Sequence, residues 1–133
     1  MELQNVLEKV KDCMVDSCDV ERDEIALNKS LIRDLQVDSI DLIDLLYNLE
    51  KSYGISLEIG EFENVAKKEM NGTAFSVDNV ITEDGLGVLK RLMPEVPMDK
   101  FKKGMTVHEI PYLFTVESLC SLVMKKVRAR GNA

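Results

Sequence analysis

The sequence contains no tryptophan, and aromatic residues make up only 5% of its 133 positions. Leu, Val, Ile and Met must therefore form most of the core, and a hydrophobic share of 45% is that of a globular protein. Because aromatic side chains are among those enriched in strands, this composition favours helices over a β-sandwich. A chain of this length can fold as one domain without disulfides or metals.

An excess of positive charge is also missing. The formal net charge is −7, with 14 acidic and 6 basic residues in positions 1–60 and 10 acidic and 11 basic residues in positions 61–133. Nucleic-acid binding requires a basic surface, so this distribution argues against nucleic acid as a partner. The acidic first half instead predicts protein partners with basic surfaces.

No apolar stretch approaches the length of about 18 residues that a membrane helix needs, and the N-terminus "MELQNVLEKV" lacks the apolar run of a signal peptide. We expect no stable membrane insertion and a cytoplasmic location. Cys13, Cys18 and Cys120 are then expected to be reduced thiols. His108 is the single histidine, and these four residues lack the number and spacing of zinc ligands, so we predict no metal site.

Helical spacing of apolar residues predicts an all-α fold. The second helix is expected to begin near Asp38 or Ser39 and to end at Tyr53, with Gly54 in left-handed geometry. Thr82 and Thr115 are expected to cap two later helices. The stretch "TAFSVDNV" fits either an extended segment or a loop, and residues 98–114 look irregular. The predicted helices lie near 2–15, 39–53, 61–70, 82–93 and 115–130.

The pair Asp38-Ser39 stands at the entrance to the second helix. If Asp38 caps that helix, the Ser39 hydroxyl lies exposed beside free backbone N–H groups and the positive end of the helix dipole, where an attached phosphate is favourably placed. Asp41 and Asp44 follow, so a modifying enzyme can dock through basic residues. Taken alone, Asp-Ser before an apolar helix is also an ordinary capping arrangement.

The wider segment "LIRDLQVDSIDLIDLLYNLEKSYGISL" (residues 31–57) resembles the acyl carrier protein family. Leu31 and "RDL" (33–35) match the family's Leu-x-x-Asp-Leu, Asp38-Ser39-Ile40 match its Asp-Ser-Leu, and "LEKSYGI" matches the end of its second helix. "FTVESLCSLVMKKV" (114–127) looks like its last helix. The resemblance covers roughly residues 2–58 and 112–128.

This resemblance implies a carrier rather than an enzyme. Ser39 would receive 4′-phosphopantetheine from coenzyme A through a separate phosphopantetheinyl transferase, and the terminal thiol would carry acyl groups as thioesters. Asp38 would cap the helix and contact the transferase. Acyl synthases and acyltransferases with basic docking surfaces are the further partners implied, and we expect a monomer.

The resemblance also implies a recognition surface on the second helix. Asp41, Asp44 and Glu50 would supply an acidic face. Ile40 and Ile43 would provide apolar contacts with partners, although core packing is an equal alternative for these two residues.

Two features depart from the family pattern. Gln36 stands where members usually have glycine, so the loop before Ser39 is expected to differ. About 55 residues separate the second helix from the last, where the family has a short loop and a short third helix. We therefore expect one acyl-carrier-like domain over residues 1–133, with an inserted helical region at about 59–111. Specialised carriers with extra sequence include ones that serve lipid A acylation.

Several functions stay open at this point. The preferred one is a carrier for fatty acid or specialised lipid synthesis, favoured by five acids against one base in residues 31–50. Alternatives are an aminoacyl or peptidyl carrier of secondary metabolism, and an adaptor that keeps the carrier fold without a prosthetic group. The absence of a nucleophile elbow around Ser39 argues against a hydrolase that uses this serine.

Overall fold

The computed structural model describes residues 2–58, 60–70 and 72–131. Within these ranges the chain is mainly helical, as the composition predicts, and the only sheet is a hairpin of two short strands. Single turns of 3-10 helix lie at Arg22–Glu24 and Met98–Lys100, and a longer one at Val107–Leu113. The α-helices are α1 (Leu3–Ser17), α2 (Ser39–Tyr53), α3 (Glu61–Glu69), α4 (Glu83–Leu92) and α5 (Val116–Gly131), and the strands are β1 (Ser76–Val77) and β2 (Val80–Ile81).

The chain divides into two compact units. The first combines Met1–Ile59 with Phe114–Ala133, and the second is Gly60–Leu113. Each unit buries its own set of apolar side chains. The interpretation of residues 59–111 as an insertion within a single domain stays a prediction.

The core of the first unit lies where α1 packs against α2 and α5. Its centre consists of aliphatic side chains that are at most 1% exposed: Val10, Met14, Leu45, Leu49 and Leu119. Removing each such side chain from water contributes roughly 1.5–3 kcal/mol, so this seam is the main stabilising contact of the unit.

The segment before α2 is held against the beginning of α5. Ser30 and Thr115 form an isolated antiparallel bridge. The backbone N–H of Leu31 donates to the carbonyl of Phe114 at 3.0 Å, and that of Val116 donates to the carbonyl of Lys29 at 3.0 Å. The turn that leads into α2 is therefore fixed by the same residues that start the last helix.

Hydrogen bonds fix α5 at its start and near its end. At its start, the Thr115 hydroxyl accepts from the Ser118 N–H at 3.1 Å and the Ser118 hydroxyl accepts from the Thr115 N–H at 3.1 Å, which confirms Thr115 as the cap. Near its end, the Arg130 guanidinium donates to the carbonyl oxygens of Tyr53 and Gly54. Gly54 has φ +64°, the left-handed conformation predicted for it, so α2 ends where the sequence indicates.

In the second unit, α3 packs on α4 and the hairpin precedes α4. The turn of the hairpin places Asp78 and Asn79 at positive φ, which these residue types tolerate better than most. The Thr82 hydroxyl accepts from the Gly85 N–H at 3.0 Å, which confirms Thr82 as the cap of α4. In the ranges the structure describes, no helix is both long and apolar enough to cross a membrane.

Candidate functional site

Helix α2 begins at Ser39 because Asp38 caps it. Asp38 has extended backbone angles, and its Oδ1 accepts a hydrogen bond from the Asp41 N–H at 2.8 Å. This contact satisfies one of the N–H groups that a helix leaves unpaired in its first turn. Ser39 is therefore the first helical residue, as predicted.

The Ser39 side chain is exposed to solvent at the positive end of the helix dipole. The approach to it is rigid, since Val37 is only 1% exposed and its N–H donates to the Leu31 carbonyl at 2.9 Å. Gln36, the residue directly before Val37, adopts φ +57°. A phosphoester on Ser39 would thus lie at an accessible, preorganised position that favours an anion.

The other serines between residues 8 and 66 offer poorer sites. Ser17 and Ser52 lie in the last turns of α1 and α2, where the dipole is negative, and they bond to Asn48 and Cys13 respectively. Ser30 is half-buried, and its hydroxyl accepts from the Arg33 N–H. Ser56 is exposed but lies in the irregular segment after α2. Exposure and a helix N-terminus coincide at Ser39 alone of these five serines.

The outer face of α2 carries an apolar stripe in solvent. Ile40 is 77% exposed and Ile43 is 58% exposed. The buried stripe lies on the opposite side of the helix and consists of Leu42, Leu45, Leu46 and Leu49. Core packing, the alternative role for Ile40 and Ile43, is therefore wrong, and their contact with partner proteins stays a prediction.

Tyr47 extends this stripe by one more turn and is 57% exposed. The Lys51 Nζ lies 5.1 Å from the centre of the Tyr47 ring, a cation–π contact. Tyr47 is not among the partner-binding residues predicted from the sequence. Its spacing of seven from Ile40 was the signal that it shares the outer face.

The predicted acidic residues occupy different environments. Asp38 and Asp44 are exposed and Asp41 is half-buried, all within the first two turns of α2. Glu50 lies about 16 Å further along the helix axis from Ser39. Its Oε2 accepts from the Leu57 N–H at 2.8 Å, so this carboxylate also fixes the segment after the helix.

The three aspartates act together on a buried thiol. The pKa of Cys18 is raised to about 12, first by burial and then by the charges of Asp41, Asp44 and Asp38. The carboxylates themselves give the surface around the start of α2 a negative potential, whereas the first-turn N–H groups beside Ser39 favour an anion locally. Basic surfaces of partner proteins are attracted to such a potential.

No group of three or more His, Cys, Asp or Glu side chains within residues 2–58, 60–70 and 72–131 is arranged to hold a metal ion. The cysteines are free and buried.

Comparisons with known proteins identify the family. Residues 8–66 match the phosphopantetheine attachment site family (PP-binding). The chain is 36% identical over 69 residues to the acyl carrier protein of Petrotoga mobilis, covering 52% of this chain and 81% of that protein. The chain belongs to the acyl carrier protein family.

Two further acyl carrier proteins are similar over about half of the chain. That of Lactobacillus acidophilus is 32% identical over 65 residues, covering 49% of this chain and 81% of the relative. That of Clostridium acetobutylicum is 38% identical over 61 residues, covering 46% of this chain and 79% of the relative. The family match ends at residue 66, within α3, so the resemblance of α5 to the family's last helix stays a prediction.

This carrier is not itself an enzyme, and its prosthetic group is a covalent 4′-phosphopantetheine. Carrier proteins interact in general with phosphopantetheinyl transferases and with acyl-handling enzymes. The start of α2 fits the group, because an exposed hydroxyl stands beside first-turn N–H groups and has no competing hydrogen bond among the described residues.

Proposed function

We propose that Ser39 is the attachment residue and that the carrier holds acyl groups as thioesters on the 4′-phosphopantetheine arm. The observation that carries the proposal is the position of Ser39, which is exposed and the first residue of the capped helix α2. When bound, the arm supplies the thiol that forms the thioester. The chain supplies the anchoring oxygen and the surface that enzymes recognise.

In the attachment reaction the Ser39 Oγ displaces 3′,5′-ADP from coenzyme A. A phosphorus–oxygen bond to Ser39 forms, the phosphorus–oxygen bond within the diphosphate breaks, and the hydroxyl proton passes to a base of the transferase. First-turn N–H groups of α2 stabilise the phosphodiester anion. Asp38 keeps the helix end in place through its bond to the Asp41 N–H.

Partner enzymes bind the outer face of α2 in this proposal. Asp38, Asp41 and Asp44 attract basic docking surfaces of the transferase, acyl synthases and acyltransferases, while Ile40 and Ile43 contribute apolar area. Glu50 has a smaller role because its carboxylate is already bound to the Leu57 N–H.

The cargo in this proposal is a fatty acyl chain or an intermediate of specialised lipid synthesis, carried by a monomer in the cytoplasm. The acidity of residues 31–50 supports it, with five acids and one base. Loading a panel of fatty acyl, aminoacyl and peptidyl groups with the matching activating enzymes would test it. Preference for aminoacyl groups would overturn this choice of cargo and leave Ser39 as the attachment residue.

The decisive experiment is intact-protein mass after incubation with coenzyme A and a broad-specificity phosphopantetheinyl transferase. We expect the parent chain to gain one phosphopantetheine and Ser39→Ala to gain none. Ser56→Ala is the matched control, since Ser56 is exposed and lies in the same matched region. A folded parent that is not already modified and shows no gain would contradict the proposal and favour an adaptor without a prosthetic group.

Charge recognition is tested by Asp44→Lys. This reversal on the outer face of α2 is expected to lower kcat/KM of the transferase by about ten-fold at low salt, because a fixed attraction becomes a repulsion, and by less at high salt. Asp19→Lys makes the same change of net charge at an exposed residue of the loop after α1. Equal losses for both variants would show that only net charge matters.

A further inference from the structure

The second unit contains a groove between α3 and α4 with a volume of about 520 Å³. Its walls are the end of α3 with the residues that follow it, and one face of α4. Five residues of one face of α4 line the groove, with spacings that repeat every four positions: Glu83, Asp84, Gly87, Val88 and Arg91. The groove therefore follows the axis of α4.

Two glycines of α4 have different reasons to be present. A Cβ on Gly85 would lie 2.4 Å from the carbonyl oxygen of Phe75, so packing requires glycine there. A Cβ on Gly87 would meet nothing within 4 Å, and Gly87 is exposed within the helix. Glycine inside a helix is destabilising relative to alanine. Gly87 is therefore unexplained by packing, and it leaves the middle of the groove open to the backbone of a bound molecule.

The groove is negative at one end and closed by an ion pair at the other. Glu83 and Asp84 lie exposed in the first turn of α4. Lys103 approaches Glu83 only at 4.0 Å, with both side chains more than 80% exposed, which is a weak pair. At the far end Arg91 binds Glu69 at 2.8 Å. The charge left for a ligand is that of Glu83 and Asp84.

Between these ends the surface is partly apolar. Met70 is half-buried and supplies most of this apolar surface, while Val88 lines the groove but is buried, at 8% exposed. From Glu83 to Arg91 the helix rises about 12 Å, which matches about four residues of extended chain. An open, elongated groove of this kind fits a peptide segment better than a small molecule, because small-molecule sites usually bury most of the ligand's surface.

We propose that this groove binds a basic peptide segment of a partner protein. A lysine or arginine of the segment pairs with Glu83 and Asp84, an apolar side chain contacts Met70, and the segment's backbone passes close to Gly87. The groove belongs to the second unit and Ser39 to the first, and the proposed binding needs neither the arm nor its cargo.

The test uses the full ¹⁵N-labelled chain and a synthetic amphipathic peptide of lysine and leucine as the probe. We expect saturable amide shifts centred on Asp84, Gly87 and Val88. Shifts confined to the outer face of α2 would overturn the proposal. The polyamine spermidine is the second probe, and equal affinity for it would also overturn the proposal, because a small cation rather than a peptide would then be the ligand.

Two substitutions at Gly87 separate this role from a structural one. Gly87→Ala and Gly87→Gln both raise helix propensity, so both variants are expected to fold and to melt at a higher temperature than the parent. Only Gln fills the groove, and we expect it to weaken peptide binding about ten-fold, or about 1.4 kcal/mol, while Ala changes the affinity much less. Undiminished binding to Gly87→Gln would show that the peptide does not use the groove.

Discussion

At the scale of single residues, Gln36 has a backbone conformation that is uncommon for its residue type. The acyl carrier family usually has glycine at this position, and the loop was expected to differ from the family's, which stays a prediction. The backbone of Gln36 adopts φ +57°, the conformation that glycine takes at least cost. Leu35 and Val37 on either side are buried, so the fold holds the Gln36 backbone in this strained left-handed conformation.

Replacing Gln36 with glycine is therefore expected to stabilise the protein. The left-handed conformation costs an L-residue roughly 1–2 kcal/mol, part of which is offset by the greater freedom of glycine in the unfolded chain, so we expect a net gain of up to about 1 kcal/mol. Urea unfolding at equilibrium measures it. Gln36→Ala keeps the Cβ and should show no such gain. Equal stabilisation by both variants would mean that the left-handed backbone at residue 36 is not strained by a Cβ.

Two cysteines make stability depend on pH in the alkaline range. Burial, with help from nearby acids, raises the pKa of Cys18 and of Cys120 from 9.0 to about 12. Below pH 9 both thiols are protonated whether the chain is folded or not. Between pH 9 and 12 the unfolded chain releases these protons and the folded chain keeps them, so stability falls as pH rises, by about 1.4 kcal/mol per thiol for each pH unit.

Urea unfolding under reducing conditions at pH 8, 9, 10 and 11 checks this slope. The double variant Cys18→Ala, Cys120→Ala loses stability at every pH through the cavities it creates, but its curve is expected to be flatter above pH 9. Other titrating groups are common to both proteins. Parallel curves would mean that the two thiols ionise normally in the folded chain.

At the scale of elements, Asp38 both ends the loop and begins α2. Asp38→Ala is expected to cost about 1 kcal/mol of unfolding free energy because the Asp41 N–H loses its acceptor. Asp38→Asn keeps an acceptor and should cost less. Asp44→Asn removes an exposed charge from the same helix and is expected to stay within about 0.5 kcal/mol of the parent.

Transferase kinetics on the same variants separate capping from recognition. If Asp38→Asn is stable yet modified slowly, the negative charge of Asp38 itself is recognised. If it is modified at the parental rate, Asp38 acts through the helix end, and the proposed direct contact with the transferase is wrong.

The ends of α2 and α5 could be predicted from sequence because local chemistry determines them. Asp38, Thr115 and Gly54 each form or permit a contact within their own helix end. The hairpin at Ser76–Ile81 could not be predicted, since strands of two residues are too short to show alternation. The strands pair locally, Ser76 with Ile81 and Val77 with Val80, and a residue distant in sequence adds a further contact, since the Ile81 N–H donates to the Met105 carbonyl.

The residues of the candidate site were named from the sequence, but their surroundings could not all be predicted. The spacing of apolar residues predicts the helix α2, and it does not tell which of those residues face the core. The structure assigns Ile40, Ile43 and Tyr47 to solvent. The bond from the Leu57 N–H to Glu50 closes a loop after the helix, a tertiary contact that no helical spacing reveals.

At the scale of the whole molecule, two compact units share one chain. We propose that the second unit is an insertion and that α1, α2 and α5 keep the carrier fold without depending on it. Gly85→Ala tests this, because its Cβ would clash with the Phe75 carbonyl and destabilise the second unit by about 1–3 kcal/mol. Gly87→Ala is the control on the same helix, since its Cβ meets nothing within 4 Å.

Hydrogen exchange of the intact protein is the measurement. We expect Gly85→Ala to lower protection in α3 and α4 and to leave protection in α1, α2 and α5 unchanged, with Ser39 still modified at the parental rate. An equal loss of protection in all five helices would mean that the chain unfolds as one cooperative body.

The burial of the three cysteines has a practical consequence for following the carrier's cargo. Cys13, Cys18 and Cys120 are each at most 7% exposed, so a maleimide dye at neutral pH reaches them slowly. The thiol at the end of a flexible arm reacts at once when free and not at all when acylated. The fluorescence of the labelled native protein would then report the unloaded fraction directly, without replacement of any cysteine.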